Sequence, residues 1–201
     1  LMRILGISGS FRSDSHNTRL LRAAALALPP GVDLELFDGL GSLPHYCEDA
    51  DTDPAPEAVE RLRRLIAEAD AVLIATPEYN ASIPGVLKNA IDWASRPFPD
   101  NALRDKRVAV IGASTGLFGA VWAQAELRKV LKHAGADVLD EELPVGLADQ
   151  AFTADDELAD AELHGRLVDL LEALAGDGAG NVASIDERVR RRHGTPALRA
   201  V

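Results

Sequence analysis

The sequence holds one cysteine, Cys47. No disulfide can form within the chain, which fits a reducing cytoplasm, and with no Cys-x-x-Cys partner Cys47 reads as a plain surface thiol. Cations are outnumbered: 21 Lys and Arg stand against 32 Asp and Glu, a formal net charge of −11. That balance argues against nucleic acid or an anionic membrane as the main partner, because phosphate backbones are met by clustered Lys and Arg. It leaves room for one local cationic site that takes a small anion. No apolar run approaches the roughly 20 residues of a membrane helix. The opening "MRILGISGSF" is too short and too glycine-rich for a signal peptide. The five histidines, His16, His45, His133, His164 and His193, show no ligand spacing with one another or with Cys47, so no metal is expected. G-x-S-x-G is missing, and Ser114 has no Asp–His pair at a recognisable spacing, which weakens a hydrolase reading.

What is present is an alternation. The 201 residues suggest one domain, and 47% apolar residues can fill a substantial core. Strands are predicted at Met2 to Ser8, Val32 to Asp38, Ala71 to Pro77, Arg107 to Ser114 and Ala136 to Asp140. Between them, helical periodicity runs over Asn17 to Leu28, Pro56 to Asp70, Pro84 to Ser95 and the stretch from Ala120 to Gly135, where the glycine is a good stop. Pro84 is expected at the first helical position. A last helix is predicted within Ala154 to Gly176, with acidic residues near its start. Strands that are apolar on both faces and alternate with helices imply an α/β doubly wound parallel sheet of five strands, covered by helices on both faces. The domain is expected over residues 2–175. From Gly176 the composition turns glycine-rich and then basic, "RVRRRH" included, and residues 176–201 read as a tail.

In such sheets ligands sit beyond the carboxyl ends of the strands. Three unusual loops leave those ends. The first, Ser8 to Asn17, carries hydroxyls at Ser8, Ser10, Ser13 and Ser15 and a forked cation at Arg12. Ser15 or Asn17 can cap the following helix and leave free N–H groups, so the loop suits an anion such as a phosphate. The competing reading is a long capped turn with a solvated arginine. Asp14 is expected to face water. The loop is neither G-x-G-x-x-G nor a Walker loop. The second loop, "TPEYNASIPG", is stiffened by Pro77 and Pro84. Asn80 there can take a positive φ, and Tyr79 offers an aromatic face. The third, "ASTGLFG", permits close backbone approach at Gly116 and Gly119.

"GSFRSDSHNTRLL", "LPHYCED", "ADAVLIATPEYNASIPGVLKNAIDWASRP" and "GASTGLFGAVWAQAELRKVL" follow one another in order. Together they resemble the NAD(P)H-dependent FMN reductase family, a flavodoxin-like group with quinone and chromate reductases among its members. The resemblance spans about Met2 to Leu174 and implies strand order 2-1-3-4-5. It implies FMN as cofactor, with NADPH or NADH as donor and a small-molecule acceptor: free flavin, quinone, azo compound or metal oxyanion. Ser10, Arg12, Ser15, Asn17 and Thr18 match the family's phosphate loop. Pro77, Glu78, Tyr79 and Asn80 match its ring-edge loop, and Ser114 and Gly116 its third contact. No side chain is assigned as an obligatory acid or base, since the cofactor does the chemistry. The chain departs from the family at Thr115, often a proline, and at Gly119-Ala120, often a Gly-Gly pair, so access to the ring is expected to differ. Phe11 stands where leucine is usual. The resemblance also implies a homodimer or homotetramer in which the helices Pro84 to Ser95 and Ala120 to Ala134 meet their counterparts. Trp93 and Trp122 lie on those helices and read as core or as subunit contact, where dimer interfaces favour such aromatic anchors. A flavodoxin-type electron carrier without NAD(P)H turnover is the alternative. Carriers usually stack aromatics on both ring faces, and aromatics make up only 4% here.

Overall fold

The computed structural model describes residues 1–176. The basic stretch Arg188 to His193 and the rest of the expected tail from residue 177 lie outside the described residues. Five strands form one sheet: β1 (Met2–Ser8), β2 (Val32–Phe37), β3 (Ala71–Ala75), β4 (Arg107–Ala113) and β5 (Asp137–Val145). All pair in parallel, in the order β2-β1-β3-β4-β5. The five α-helices among the described residues are α1 (His16–Leu26), α2 (Glu57–Glu68), α3 (Gly85–Ala94), α4 (Val121–His133) and α5 (Ala161–Ala175). One face of the sheet packs α2, α3 and α4 through Leu62, Ile66, Leu87, Ile91, Leu127 and Leu131. The other packs α1 and α5 through Leu20, Leu21, Leu167, Leu170 and Leu171. Of the central strands, β3 is buried at every residue and β4 at every residue after Arg107. Two-sided burial explains why these strands read as continuous apolar runs rather than as alternations.

Three elements differ from the expectation. β5 continues to Val145, past the predicted end at Asp140. The polar run after Leu139 hides this continuation: β4 advances from Val108 to Val110 while β5 advances from Val138 to Glu142. The extra residues bulge, and pairing resumes at Glu142 and Leu143. As an edge strand, β5 tolerates Pro144. The last helix begins at Ala161, not near Ala154. Asp160 is its cap and accepts from the N–H groups of Glu162 and Leu163. The residues before it form a loop in which Phe152 bridges Leu158. Pro84 is the cap of α3 rather than its first helical residue.

Of the two readings for Trp93, core or subunit contact, the structure takes the first. Its side chain is fully buried, so it is no anchor for a partner. Its indole N–H donates to the Pro44 carbonyl at 2.8 Å, Tyr46 meets the ring edge-on at 4.9 Å, and the Arg63 guanidinium lies over it. Trp122, by contrast, is half exposed.

Candidate functional site

The sheet order reverses between β1 and β3, so the crevice lies where their carboxyl ends open. The loops after β1, β3 and β4 meet there because those three strands are neighbours. They are stitched together by backbone. The Gly9 N–H donates to the Ala75 carbonyl at 2.8 Å, and that of Thr76 to the Ile111 carbonyl at 2.9 Å. A Cβ on Gly9 would stand 2.9 Å from Pro77 Cδ, and one on Gly112 would stand 2.9 Å from the Thr76 carbonyl oxygen. Glycine at these two positions therefore sets the spacing of the loops.

In the first loop, Ser15 is the helix cap: its Oγ accepts from the Thr18 N–H at 3.2 Å. A helix leaves its first N–H groups without intrahelical acceptors. With Thr18 served by Ser15, those of His16 and Asn17 point out of the end of α1. The Thr18 hydroxyl donates to Ser8 Oγ at 2.9 Å, and the Ser8 hydroxyl donates to the Ser10 carbonyl at 2.9 Å. This chain of hydroxyls shapes the turn from within. Ser10 Oγ accepts from the Arg12 N–H, and the Arg12 guanidinium donates to the Asp14 carbonyl. Arg12 and Asp14 are both exposed, Asp14 as expected. Asn17 is a surprise. It is buried, and its carboxamide is fully engaged: Nδ2 donates to the Ala113 carbonyl and Oδ1 accepts from the Ala113 N–H, both at 2.9 Å.

The second loop is a tight turn. Tyr79 and Ser82 exchange backbone hydrogen bonds at 3.0 and 3.1 Å around Asn80 and Ala81, at φ 54° and 58°. The positive φ of Asn80 was legible in its residue type. Ala81 has a Cβ that makes this region costly. Pro77 is buried, and the Thr76 hydroxyl donates to its carbonyl at 2.8 Å. Tyr79 is 55% exposed. Glu78 sends its carboxylate sideways to accept from the Ala123 N–H at 3.0 Å, capping the start of α4. The second loop thereby anchors the helix that follows the third.

In the third loop, Ser114 Oγ accepts from the Gly116 N–H at 3.1 Å. Thr115 to Phe118 are exposed. The close approach expected at Gly119 is real, but its neighbour is the chain itself: at φ 58°, a Cβ would come within 2.5 Å of the Pro144 backbone. Phe118 and Trp122 meet edge to face at 5.3 Å, both largely exposed beside Leu117. Sequence reasoning missed one residue, Gln124. It is fully buried, donates to the Gly119 carbonyl at 3.0 Å and accepts from the Leu143 N–H at 3.2 Å. Nothing local marks it, since a glutamine on a helix normally faces water.

Among the described residues, no group of three or more His, Cys, Asp or Glu could hold a metal ion, and no helix is long and apolar enough to cross a membrane. The named positions fall in the three loops at the carboxyl ends of β1, β3 and β4, and three of their side chains are committed within the fold: Asn17 to Ala113 of β4, Thr18 to Ser8 of β1 and Glu78 to the start of α4.

Comparison with known proteins bears on the family and the fold. The model of the NADPH-dependent FMN reductase family matches residues 2–150, which include all three loops. An NAD(P)H-dependent FMN reductase of Pseudomonas aeruginosa is 45% identical over 174 residues, 86% of this chain and 93% of that protein. A 2-hydroxy-1,4-benzoquinone reductase of Burkholderia sp. is 45% identical over 132 residues, 66% of this chain and 71% of its own. Among solved structures, FerB of Paracoccus denitrificans, a flavoenzyme NAD(P)H:(acceptor) oxidoreductase, superposes with a TM-score of 0.77 at 37% identity, covering 87% of this chain and 95% of FerB. The chain belongs to the NADPH-dependent FMN reductase family.

Proposed function

We propose that this chain is an FMN-dependent oxidoreductase that takes a hydride from NAD(P)H and reduces a small acceptor, a quinone or free flavin foremost. The observation that carries it is the junction of the three loops, where backbone and hydroxyl donors face one crevice. The residues fit the cofactor. The His16 and Asn17 N–H groups, the Ser10 and Ser15 hydroxyls and the exposed Arg12 supply donors for a phosphate, and the one carboxylate of that loop, Asp14, is exposed. FMN, when bound, supplies the redox chemistry, accepting a hydride from the nicotinamide and passing two electrons to the acceptor. The protein places and polarises. In the second and third loops the N–H groups of Tyr79, Ser114 and Gly116 already bond Ser82, Val145 and Ser114, so those of Glu78, Asn80 and Thr115 are the backbone donors left for a ring carrying negative charge. Glu78 and Thr18 act on shape: one caps α4, the other closes the hydroxyl chain.

The working unit in this reading is residues 2–175. It pairs with a second copy through Leu117, Phe118 and Trp122, whose exposed rings lie beside the crevice. Light scattering at micromolar concentration should then give at least twice the 21.4 kDa of one chain, and a monomer mass would rule the pairing out. The single cysteine supports a place in the reducing cytoplasm. The test of function is the visible spectrum of the purified protein before and after anaerobic NADPH. A yellow protein that bleaches rapidly is expected. A yellow protein that bleaches slowly or not at all would mark an electron carrier, and a colourless protein that takes up no FMN would sink the reading.

A further inference from the structure

Three of the five buried polar side chains among the described residues are carboxamides, and two of them, Asn17 and Gln124, hold the third loop. Asn17 grips its entry. The residue sits in the first turn of α1, 96 positions before Ala113, and reproduces for Ala113 the paired donor and acceptor of a neighbouring strand. Gln124 grips the exit, joining the Gly119 carbonyl to the Leu143 N–H of β5. Between the grips the loop is held by the Ser114–Gly116 turn and by backbone bonds to the segment after β5: the N–H of Ser114 on the Val145 carbonyl, that of Leu147 on the Gly116 carbonyl and that of Ala148 on the Ser114 carbonyl. The room around Gln124 is tight, with its Nε2 3.0 Å from where a Cβ on Gly112 would stand.

We propose that Asn17 and Gln124 are positioning residues that set the third loop for the flavin ring. In this arrangement Asn17 makes the placement of that loop depend on the helix end that receives the phosphate. The proposal rests on the FMN reading above and changes the part Asn17 plays in it. The Asn17 backbone N–H faces the phosphate, while its side chain acts on the ring site through Ala113. One residue thus couples the two ends of the cofactor site. A carboxamide suits the task because it donates and accepts at once without charge. A carboxylate in its place would turn an acceptor toward the Ala113 carbonyl and leave that carbonyl without a donor.

The experiment measures FMN and riboflavin affinity by fluorescence quenching on the apoprotein. Riboflavin lacks the phosphate, so it reports the ring site alone. Asn17→Ala should weaken both flavins by a similar factor, about tenfold or more, and keep the wild-type ratio between them. Loss of FMN affinity with riboflavin unchanged would show instead that the side chain binds the phosphate directly and would overturn the proposal. Asn17→Asp tests the same point without a cavity. Its riboflavin affinity should be poor at neutral pH and recover as the pH falls toward about 4, where a neutral carboxyl can again both donate and accept. Wild-type riboflavin binding should not rise over that range, and absence of recovery in the variant counts against the link. A wild type that binds neither flavin would overturn the cofactor reading instead. The hold on the loop is then decided by amide exchange over residues 113–120, which should quicken in Asn17→Ala and in Gln124→Ala. Unchanged exchange there refutes it.

Discussion

The connection from Asp38 to Pro56 and the loop from Gly9 to Ser15 both leave carboxyl ends of neighbouring strands, and both are polar. Their polar groups end in different places. In the longer connection they close on the protein itself. The Pro44 carbonyl accepts from Trp93 Nε1 and Asn89 Nδ2, the Tyr46 N–H donates to Asn89 Oδ1, and Asp51 is gripped by Arg63 at 2.8 Å and Arg96 at 3.0 Å. Two short 3-10 turns, Leu40–Ser42 and Glu48–Ala50, take up backbone between these ties. In the shorter loop the ties run inward, through Ser8, Ser15 and Thr18, and the first N–H groups of α1, at His16 and Asn17, are left unmatched. Length and polarity therefore do not mark a binding loop. The direction in which donors remain unmatched does.

Breaking the closed region should have the largest effect. Asp51 is nearly buried, as is Arg63, so Asp51→Ala leaves two guanidinium groups without their shared partner. Urea unfolding should show a loss of about 3 kcal/mol, while FMN affinity of the folded protein stays near wild type. The same pair gives a pH dependence. The Arg63 hydrogen bond, against the opposing effect of burial and with help from Arg96, holds the Asp51 carboxyl below its ordinary value. Its contribution is present above the unfolded-state value, about 4, and is lost as pH falls through the lower folded value. The acid limb of the stability profile should accordingly flatten in Asp51→Asn. A variant as stable as wild type would mean that the connection is held by Trp93 and its neighbours alone.

The open loop should respond in the opposite sense. Arg12→Ala is expected to weaken FMN by about tenfold to a hundredfold, the worth of one or two charge-assisted contacts. Riboflavin affinity and urea stability should hardly move, since the Arg12 guanidinium is exposed and bonds only the Asp14 carbonyl of its own loop. A drop in stability as large as that of Asp51→Ala would erase the distinction between the two regions. The smallest effect is expected in the turn of the second loop. Ala81 sits at φ 58°, where glycine carries no Cβ penalty. Ala81→Gly should stabilise the fold by roughly 0.5–1 kcal/mol, read as a rise in the urea midpoint, with flavin affinity equal to wild type or slightly lower. A destabilised variant would show that the turn carries no strain.

Much of this was readable along the chain. The order of strands and helices follows from apolar runs and periodicity that lie within single elements. The loops at the crevice stood out because serine, arginine, asparagine and proline are unusual between a buried strand and an amphipathic helix. Ser15 as a cap and Asn80 at positive φ follow from the residue types alone, since each concerns the backbone next to it. What a local pattern could not show was where long-range partners lie. Trp93 resembles an interface aromatic until the Pro44 carbonyl and Tyr46 are brought to it. Glu78 reads as part of a ring-edge loop, yet its carboxylate caps α4. Asn17 reads as a phosphate ligand, yet its side chain lies on Ala113, and Gln124 reads as a surface residue, yet it is buried against Gly119 and Leu143. β5 reads as ending at Asp140 because its bulge breaks the strand pattern and only pairing with β4 restores it. Composition and periodicity determined the layers, the sheet and the edge that carries the three loops, because burial and helix geometry act over a few residues at a time. Tertiary structure alone decided which polar side chains stay available to a ligand, because a buried carboxamide or carboxylate goes to whichever unpaired backbone group the fold brings within reach.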